Sequence, residues 1–73
     1  MKLRENKFLS AIRTGHQQVG LWISLSHAYA AEVIAPSGYD WALLDMEHSP
    51  NELASLLGQL QAFAATDTTA IVR

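Results

Sequence analysis

Hydrophobic and polar positions change their spacing along the chain, and each change predicts a different element. Residues 19–26 alternate in character, which is typical of a strand with one strongly apolar face. The apolar positions on that face are Val19, Leu21, Ile23 and Leu25. Residues 41–45 are nearly all apolar on both faces and end in Asp45, as expected of a strand in a parallel sheet that helices cover. A third strand is predicted at residues 69–73.

Helices are predicted before and between these strands. Asn6 has the side chain of a helix N-cap, and Gly15 stands where a short first helix would end. Residues 28–35 predict a second helix, which Pro36 and Gly38 would stop.

The third helix has the strongest signals at its start. Ser49 is expected as N-cap, Pro50 as first helical residue and Glu52 as the closing residue of a capping box. Apolar residues at spacings of three and four then mark one helical stripe. Its members are Leu53, Leu56, Leu57, Leu60, Phe63 and Ala64. The whole order predicts an α/β fold with a parallel sheet.

Size suggests that this fold is incomplete. Of 73 residues none is cysteine, and a domain this small buries only about 60% of the surface of its unfolded chain. Three parallel strands alone would also leave two unpaired edges. We therefore expect the first three β/α units of a larger fold, completed in cis or by another chain.

Charge and composition exclude some functions. The net charge is −2, and residues 14–72 contain no lysine or arginine, which disfavours nucleic-acid binding. The N-terminal basic cluster of Lys2, Arg4, Lys7 and Arg13 is better explained as a solvated helix face than as a binding arm. No apolar run is long enough to span a membrane and no secretory signal is present, so a cytoplasmic location is expected.

Residues with catalytic potential follow the predicted strands, where sites gather in parallel α/β folds. Asp45 and His48 come just after the second strand, and Arg73 ends the third. A helix starting at Ser49 would favour neutral His48, as a general base requires, whereas Asp45 could orient the ring and stabilise its charged form. Alternatively, Asp45 and Glu47 serve only the loop and the helix start.

Other residues near these strand ends have competing interpretations. Arg73 could bind a carboxylate through two nitrogens or be a solvated chain end. Trp22 lies on the mixed face of the first strand, where it could belong to the core or form a platform for the substrate. His27 could face a ligand or start the second helix. Glu47 and His48 make a weak metal pair, because no other histidine or cysteine has suitable spacing.

Taken together, these segments resemble the HpcH/HpaI aldolase family over nearly the whole chain. The most specific match is the run Asp-Met-Glu-His-Ser-Pro at residues 45–50. Supporting matches are Gly20-Leu21-Trp22, Ala31-Glu32, Gly38-Tyr39-Asp40-Trp41 and Val72-Arg73. The resemblance extends over about the first third of a barrel of roughly 250 residues.

The resemblance implies a (β/α)8 TIM barrel, with residues 1–73 as the N-terminal portion of a single aldolase domain, assembled as a homohexamer. It implies class II aldolase chemistry, the reversible cleavage of a 2-oxo-4-hydroxy acid to pyruvate and an aldehyde, in aromatic-compound or sugar-acid catabolism. His48 would be the general base, acting with Asp45 on the substrate hydroxyl. Arg73 would bind the keto-acid oxygens and stabilise the enolate, and Trp22 would line the pocket floor.

A divalent cation, Mg2+ or Mn2+, is also implied, to chelate the keto acid and stabilise the enolate. The family's ligands, a Glu and an Asp on later strands, have no counterpart in this chain, and Met46 stands where a smaller residue is expected. We therefore expect the 73-residue chain to be inactive by itself. The alternatives are a related carbon–carbon lyase or decarboxylase, and a non-catalytic remnant or assembly module of the same fold.

Overall fold

Helices and strands alternate in the order that the sequence predicts. A computed structural model describes residues 5–73, so Lys2 and Arg4 of the basic cluster lie outside the described residues. The elements of this range are α1 (Lys7–Arg13), β1 (Gly20–Ile23), α2 (Ala28–Ile34), β2 (Trp41–Leu44), α3 (Leu53–Ala64) and β3 (Thr69–Val72). A 3-10 turn at Ala35–Ser37 follows α2. The α/β class is confirmed.

Within residues 5–73 the strands form one parallel sheet in the order β1-β2-β3. The register aligns Ile23, Leu44 and Val72 at the carboxyl ends. Main-chain hydrogen bonds continue past those ends: the Asp45 N–H donates to the Ile23 carbonyl at 3.3 Å and the Arg73 N–H to the Leu44 carbonyl at 3.1 Å. The sheet therefore fixes the backbone of both residues at the same edge.

The apolar core lies between one face of the sheet and the helices α2 and α3. Its buried members are Ile23, Ala31, Ala35, Ala42, Leu44, Leu56 and Phe63. Because side chains alternate along a strand, Trp41 and Leu43 of β2 lie on the opposite face from Ala42 and Leu44.

Helix α1 packs beside that opposite face. The Phe8 ring meets the Trp41 indole edge-on, with centroids 6.1 Å apart. The indole in turn covers Gly20, where an added Cβ would overlap the ring. Asn6 caps α1 by accepting a backbone N–H at 3.0 Å, and Gly15 adopts a φ of 80° just after the helix, as predicted.

The described members of the basic cluster are solvated. Lys7 and Arg13 are both exposed, and Lys7 forms an exposed ion pair with Asp67 at 3.0 Å. None of the helices in the described part of the chain combines the length and the apolar character that crossing a membrane requires.

Strand β1 and helix α3 do not have the predicted bounds. β1 spans Gly20–Ile23 instead of residues 19–26, and Val19 and Leu25, which lie outside it, are 55% and 62% exposed. Helix α3 begins at Leu53 with Glu52 as N-cap, so Ser49 is not its cap. The Ser49 hydroxyl instead donates to the Asp45 carbonyl, which keeps this segment in a loop.

The apolar stripe predicted for α3 is buried only in part. The row that faces the core consists of Leu56, Gln59 and Phe63. Leu53 and Leu57 are 79% and 58% exposed, because they lie on a neighbouring row of the same helix.

Candidate active site

The carboxyl edge of the sheet brings Trp22, Asp45 and Arg73 together. Asp45 is buried, with 2% of its surface exposed. Its Oδ1 accepts the backbone N–H groups of Glu47 at 2.8 Å and His48 at 3.0 Å. Its Oδ2 accepts the indole Nε1–H of Trp22 at 3.1 Å. Three donors thus hold both carboxylate oxygens.

These donors stabilise the ionised form of Asp45. The backbone N–H of His48 contributes most, followed by the Trp22 indole, with smaller contributions from the Glu47 N–H and the Arg73 charge. Burial opposes them, yet the pKa of Asp45 is lowered to about 2. Asp45 is therefore a fixed negative charge at neutral pH.

Arg73 lies over the ring face of the same indole. Its guanidinium carbon is 5.5 Å from the centroid of the Trp22 ring, within the range of a cation–π contact. Its Nε lies 3.8 Å from Glu47 Oε1, in an ion pair whose side chains are 40% and 60% exposed. Trp22 is itself 52% exposed, so it is not part of the core that the described residues form. Its indole contacts the buried anion through the N–H and the partly exposed cation through the ring face.

His48 is joined to this group through its main chain. Its side chain is exposed, and within residues 5–73 the imidazole forms no hydrogen bond. Because α3 starts at Leu53, the positive end of that helix does not directly follow His48 as expected. A pairing of the His48 ring with the Asp45 carboxylate stays a prediction.

His27 caps a helix. Its Nδ1 accepts the Tyr29 N–H at 3.1 Å, and the two rings stack with centroids 5.3 Å apart. Of the two interpretations, the structure supports the helix start.

Sequence reasoning missed a polar network behind the site. Asn51 Nδ2 donates to the Asp45 carbonyl at 2.9 Å, beside the Ser49 hydroxyl. Asn51 Oδ1 accepts the Ser55 hydroxyl at 2.8 Å and the Gln59 Nε2 at 2.7 Å. The available signal was a glutamine at helical spacing among buried apolar residues.

A metal ion does not fit the residues of this edge. Within residues 5–73, no group of three or more histidine, aspartate or glutamate side chains is placed to hold one. Asp45 Oδ1 already accepts two N–H donors and Oδ2 accepts one, which leaves this carboxylate little acceptor capacity for a cation.

Comparisons with known proteins identify relatives of this chain. The chain is 48% identical over 73 residues to a pyruvate aldolase of Rhizobium etli, covering 100% of this chain and 29% of that protein. It is 46% identical over 69 residues to a 4-hydroxy-2-oxo-heptane-1,7-dioate aldolase of Escherichia coli, covering 94% and 26%. A crystal structure of an HpcH/HpaI aldolase/citrate lyase family protein from Burkholderia cenocepacia matches with a TM-score of 0.86 at 40% identity, over 94% of this chain and 28% of that one.

The chain spans less than a third of the length of these relatives. A family model, HpcH/HpaI aldolase/citrate lyase, matches residues 18–73, which include every residue of the carboxyl-edge site. The chain therefore belongs to the HpcH/HpaI aldolase/citrate lyase family.

Proposed function

We propose that this chain is the N-terminal part of a (β/α)8-barrel aldolase that reversibly cleaves a 2-oxo-4-hydroxy acid to pyruvate and an aldehyde. One observation carries the proposal. Trp22, Asp45 and Arg73 converge at the carboxyl edge of a parallel sheet, which is the substrate-binding end of barrel enzymes. Aldolase names among the relatives support the reaction class. The proposed activity is that of the whole protein.

Each residue of the edge has a role in the proposed reaction. Arg73 presents a partly exposed guanidinium that binds the keto-acid oxygens and stabilises the enolate charge. His48 takes the proton of the substrate hydroxyl as the C–C bond breaks; the bonding electrons pass into the enolate, and protonation of the enolate carbon gives pyruvate. Asp45 stays ionised, holds the His48 main chain and favours the imidazolium after proton transfer.

The proposal includes a divalent cation, Mg2+ or Mn2+, held by a Glu and an Asp on later strands that this chain does not contain, as the family resemblance implies. When bound, such an ion supplies Lewis-acid stabilisation of the enolate. It also includes assembly as a homohexamer and a cytoplasmic location, which the family resemblance implies.

Enolate formation can be tested separately from aldehyde specificity. The natural polypeptide that contains this chain is incubated with pyruvate and Mg2+ or Mn2+ in D2O, and deuterium entry into the methyl group is followed by NMR. We expect His48→Ala and Arg73→Ala to lower the exchange rate by about a hundredfold or more. Gln61→Ala, at an exposed position of α3, is the control and should exchange like the parent.

Parent-like exchange in His48→Ala and Arg73→Ala would contradict the proposed roles. If both substitutions changed only thermal stability, the chain would be better explained as an assembly module of the same fold.

A further inference from the structure

We infer that Asn51 and Gln59 are positioning residues, which tie the loop carrying Asp45 and His48 to the buried face of helix α3. Their link to catalysis rests on the proposed aldolase function. Neither side chain reaches the exposed edge of the site, so they act through the loop backbone.

Gln59 is anchored in the core. It is 0% exposed and lies between Leu56 and Phe63 in the buried row of α3. Its Nε2 donates to Asn51 Oδ1 at 2.7 Å and to the Ser55 carbonyl at 3.0 Å. Because both partners are acceptors, the amide can face them in one orientation only. A rigid helix thus presents a donor at a fixed point below the loop.

Asn51 transmits this constraint to the loop. Its Oδ1 accepts Gln59 and also the Ser55 hydroxyl at 2.8 Å, so its Nδ2 must point the other way. In that direction it donates to the Asp45 carbonyl at 2.9 Å. The Asp45 side chain in turn accepts the His48 N–H at 3.0 Å. An unbroken line of hydrogen bonds therefore runs from the helix core to His48.

Folding stability alone does not explain Gln59. Its Oε1 is buried and has no hydrogen-bond partner among residues 5–73. A buried polar atom without a partner destabilises the folded state, and an apolar side chain of similar length would avoid that cost. The benefit of a glutamine here is geometric, namely a donor aimed at Asn51.

Loop order can be measured without any activity. In the natural polypeptide, Gln59→Met removes the donor and keeps the size, whereas Gln61→Met makes the same change at an exposed position of α3. We expect hydrogen–deuterium exchange of the 45–52 segment, read by mass spectrometry, to become about fivefold faster in Gln59→Met only. The melting temperature of Gln59→Met should not fall.

The same variants test the link to catalysis. In the pyruvate exchange assay we expect Gln59→Met and Asn51→Ala each to lower kcat by about tenfold with KM little changed. The double variant should lose little more than either single one, because both break one line of hydrogen bonds. Asn51 is only partly buried, so Asn51→Ala keeps the test available if Gln59→Met fails to fold.

Parent-like segment exchange in both variants overturns the positioning role. Faster segment exchange with an unchanged kcat overturns its link to catalysis. If the parent polypeptide shows no pyruvate exchange at all, the proposed aldolase function fails, and the segment exchange still decides whether Asn51 and Gln59 position the loop.

Discussion

Hydrogen-bond donors lower the pKa of Asp45 more than the neighbouring cation Arg73 does. The largest contribution comes from the His48 N–H, and the Arg73 charge contributes least to the lowered pKa. A carboxylate held this way keeps its charge while the loop keeps its shape. Charge and loop geometry at this residue are therefore coupled.

This coupling predicts a pH dependence of stability. The pKa of Asp45 is about 2 in the folded chain, below the value of about 3.9 for an unfolded aspartate. The stabilising contribution is therefore complete above about pH 4 and is lost as the pH falls toward about 2. We expect urea unfolding of Asp45→Asn in the natural polypeptide to show a shallower loss of stability over this range than the parent. Glu32→Gln, at an exposed position of α2, should follow the parent curve.

The hydrogen bond from Trp22 is expected to lower the pKa of Asp45 independently of the contact between Trp22 and Arg73. Trp22→Phe removes the indole donor at 3.1 Å and keeps a ring beneath the guanidinium. We expect the pKa of Asp45 to rise toward its usual range, measured by 13C NMR titration of the carboxyl carbon. Trp41→Phe is the control, since Trp41 packs on Phe8 at the other end of the sheet. An unchanged pKa in Trp22→Phe would show that this bond does not form in solution.

At the scale of elements, helix α3 has two apolar rows with different environments. Phe63 is 2% exposed, whereas Leu57 is 58% exposed. We expect Phe63→Ala to lower the free energy of unfolding by about 3–5 kcal/mol, through lost burial and a cavity. Gln61→Ala, at an exposed position of the same helix, should change it by less than about 1 kcal/mol. Denaturant midpoints of the natural polypeptide measure both values. Equal losses in the two variants would contradict burial of Phe63 as the cause.

The pairing of β1 with β2 requires a glycine at residue 20. The Trp41 indole covers Gly20, and an added Cβ would overlap the ring. We expect Gly20→Ala to destabilise the fold by about 1–3 kcal/mol through overpacking. The double variant Gly20→Ala/Trp41→Leu removes the overlap and should recover part of the loss, as read from thermal unfolding. If the double variant is no more stable than Gly20→Ala, the overlap is not the cause.

Sequence periodicity was sufficient for the order of the elements and for the class of fold. Periodicity did not predict the local structure where the same pattern is compatible with two different structures. Ser49 has the side chain of an N-cap, but its hydroxyl donates to the Asp45 carbonyl instead. Leucines at spacings of three and four form two adjacent rows on a helix, and only the packing of α3 on the sheet selects the row that includes Leu56.

The candidate site could be predicted in part for a similar reason. Parallel strands bring their carboxyl ends to one edge, so the proximity of Asp45 and Arg73 follows from topology. The orientation of side chains does not follow from it. The Trp22 bond to Asp45 has no sequence signature. The spacing of Gln59 among apolar residues indicates a buried amide but not its path through Asn51, because both contacts depend on rotamers set by packing.

At the scale of the molecule, large apolar side chains remain on the surface of α2 and α3, the two helices that cover the sheet. On α2, Tyr29 and Val33 are 74% and 75% exposed. On α3, Leu53 and Leu57 are 79% and 58% exposed. Each pair is spaced by one helical turn and so forms a short apolar row. In the described sheet β1 and β3 each pair with one neighbour only. Such rows beside open strand edges are what further β/α units would cover.

The proposed barrel therefore predicts which positions on α2 and α3 are shielded from reagents in solution. In the natural polypeptide, cysteines introduced as Val33→Cys and Leu57→Cys should react slowly with a maleimide reagent, because neighbouring units bury both rows. Gln61→Cys, at an exposed position of α3, should react quickly. Denaturant should bring the three rates together, which shows that burial and not intrinsic thiol reactivity separates them. Equal rates in the folded state would contradict a closed barrel and favour a three-stranded layer whose apolar rows stay in water.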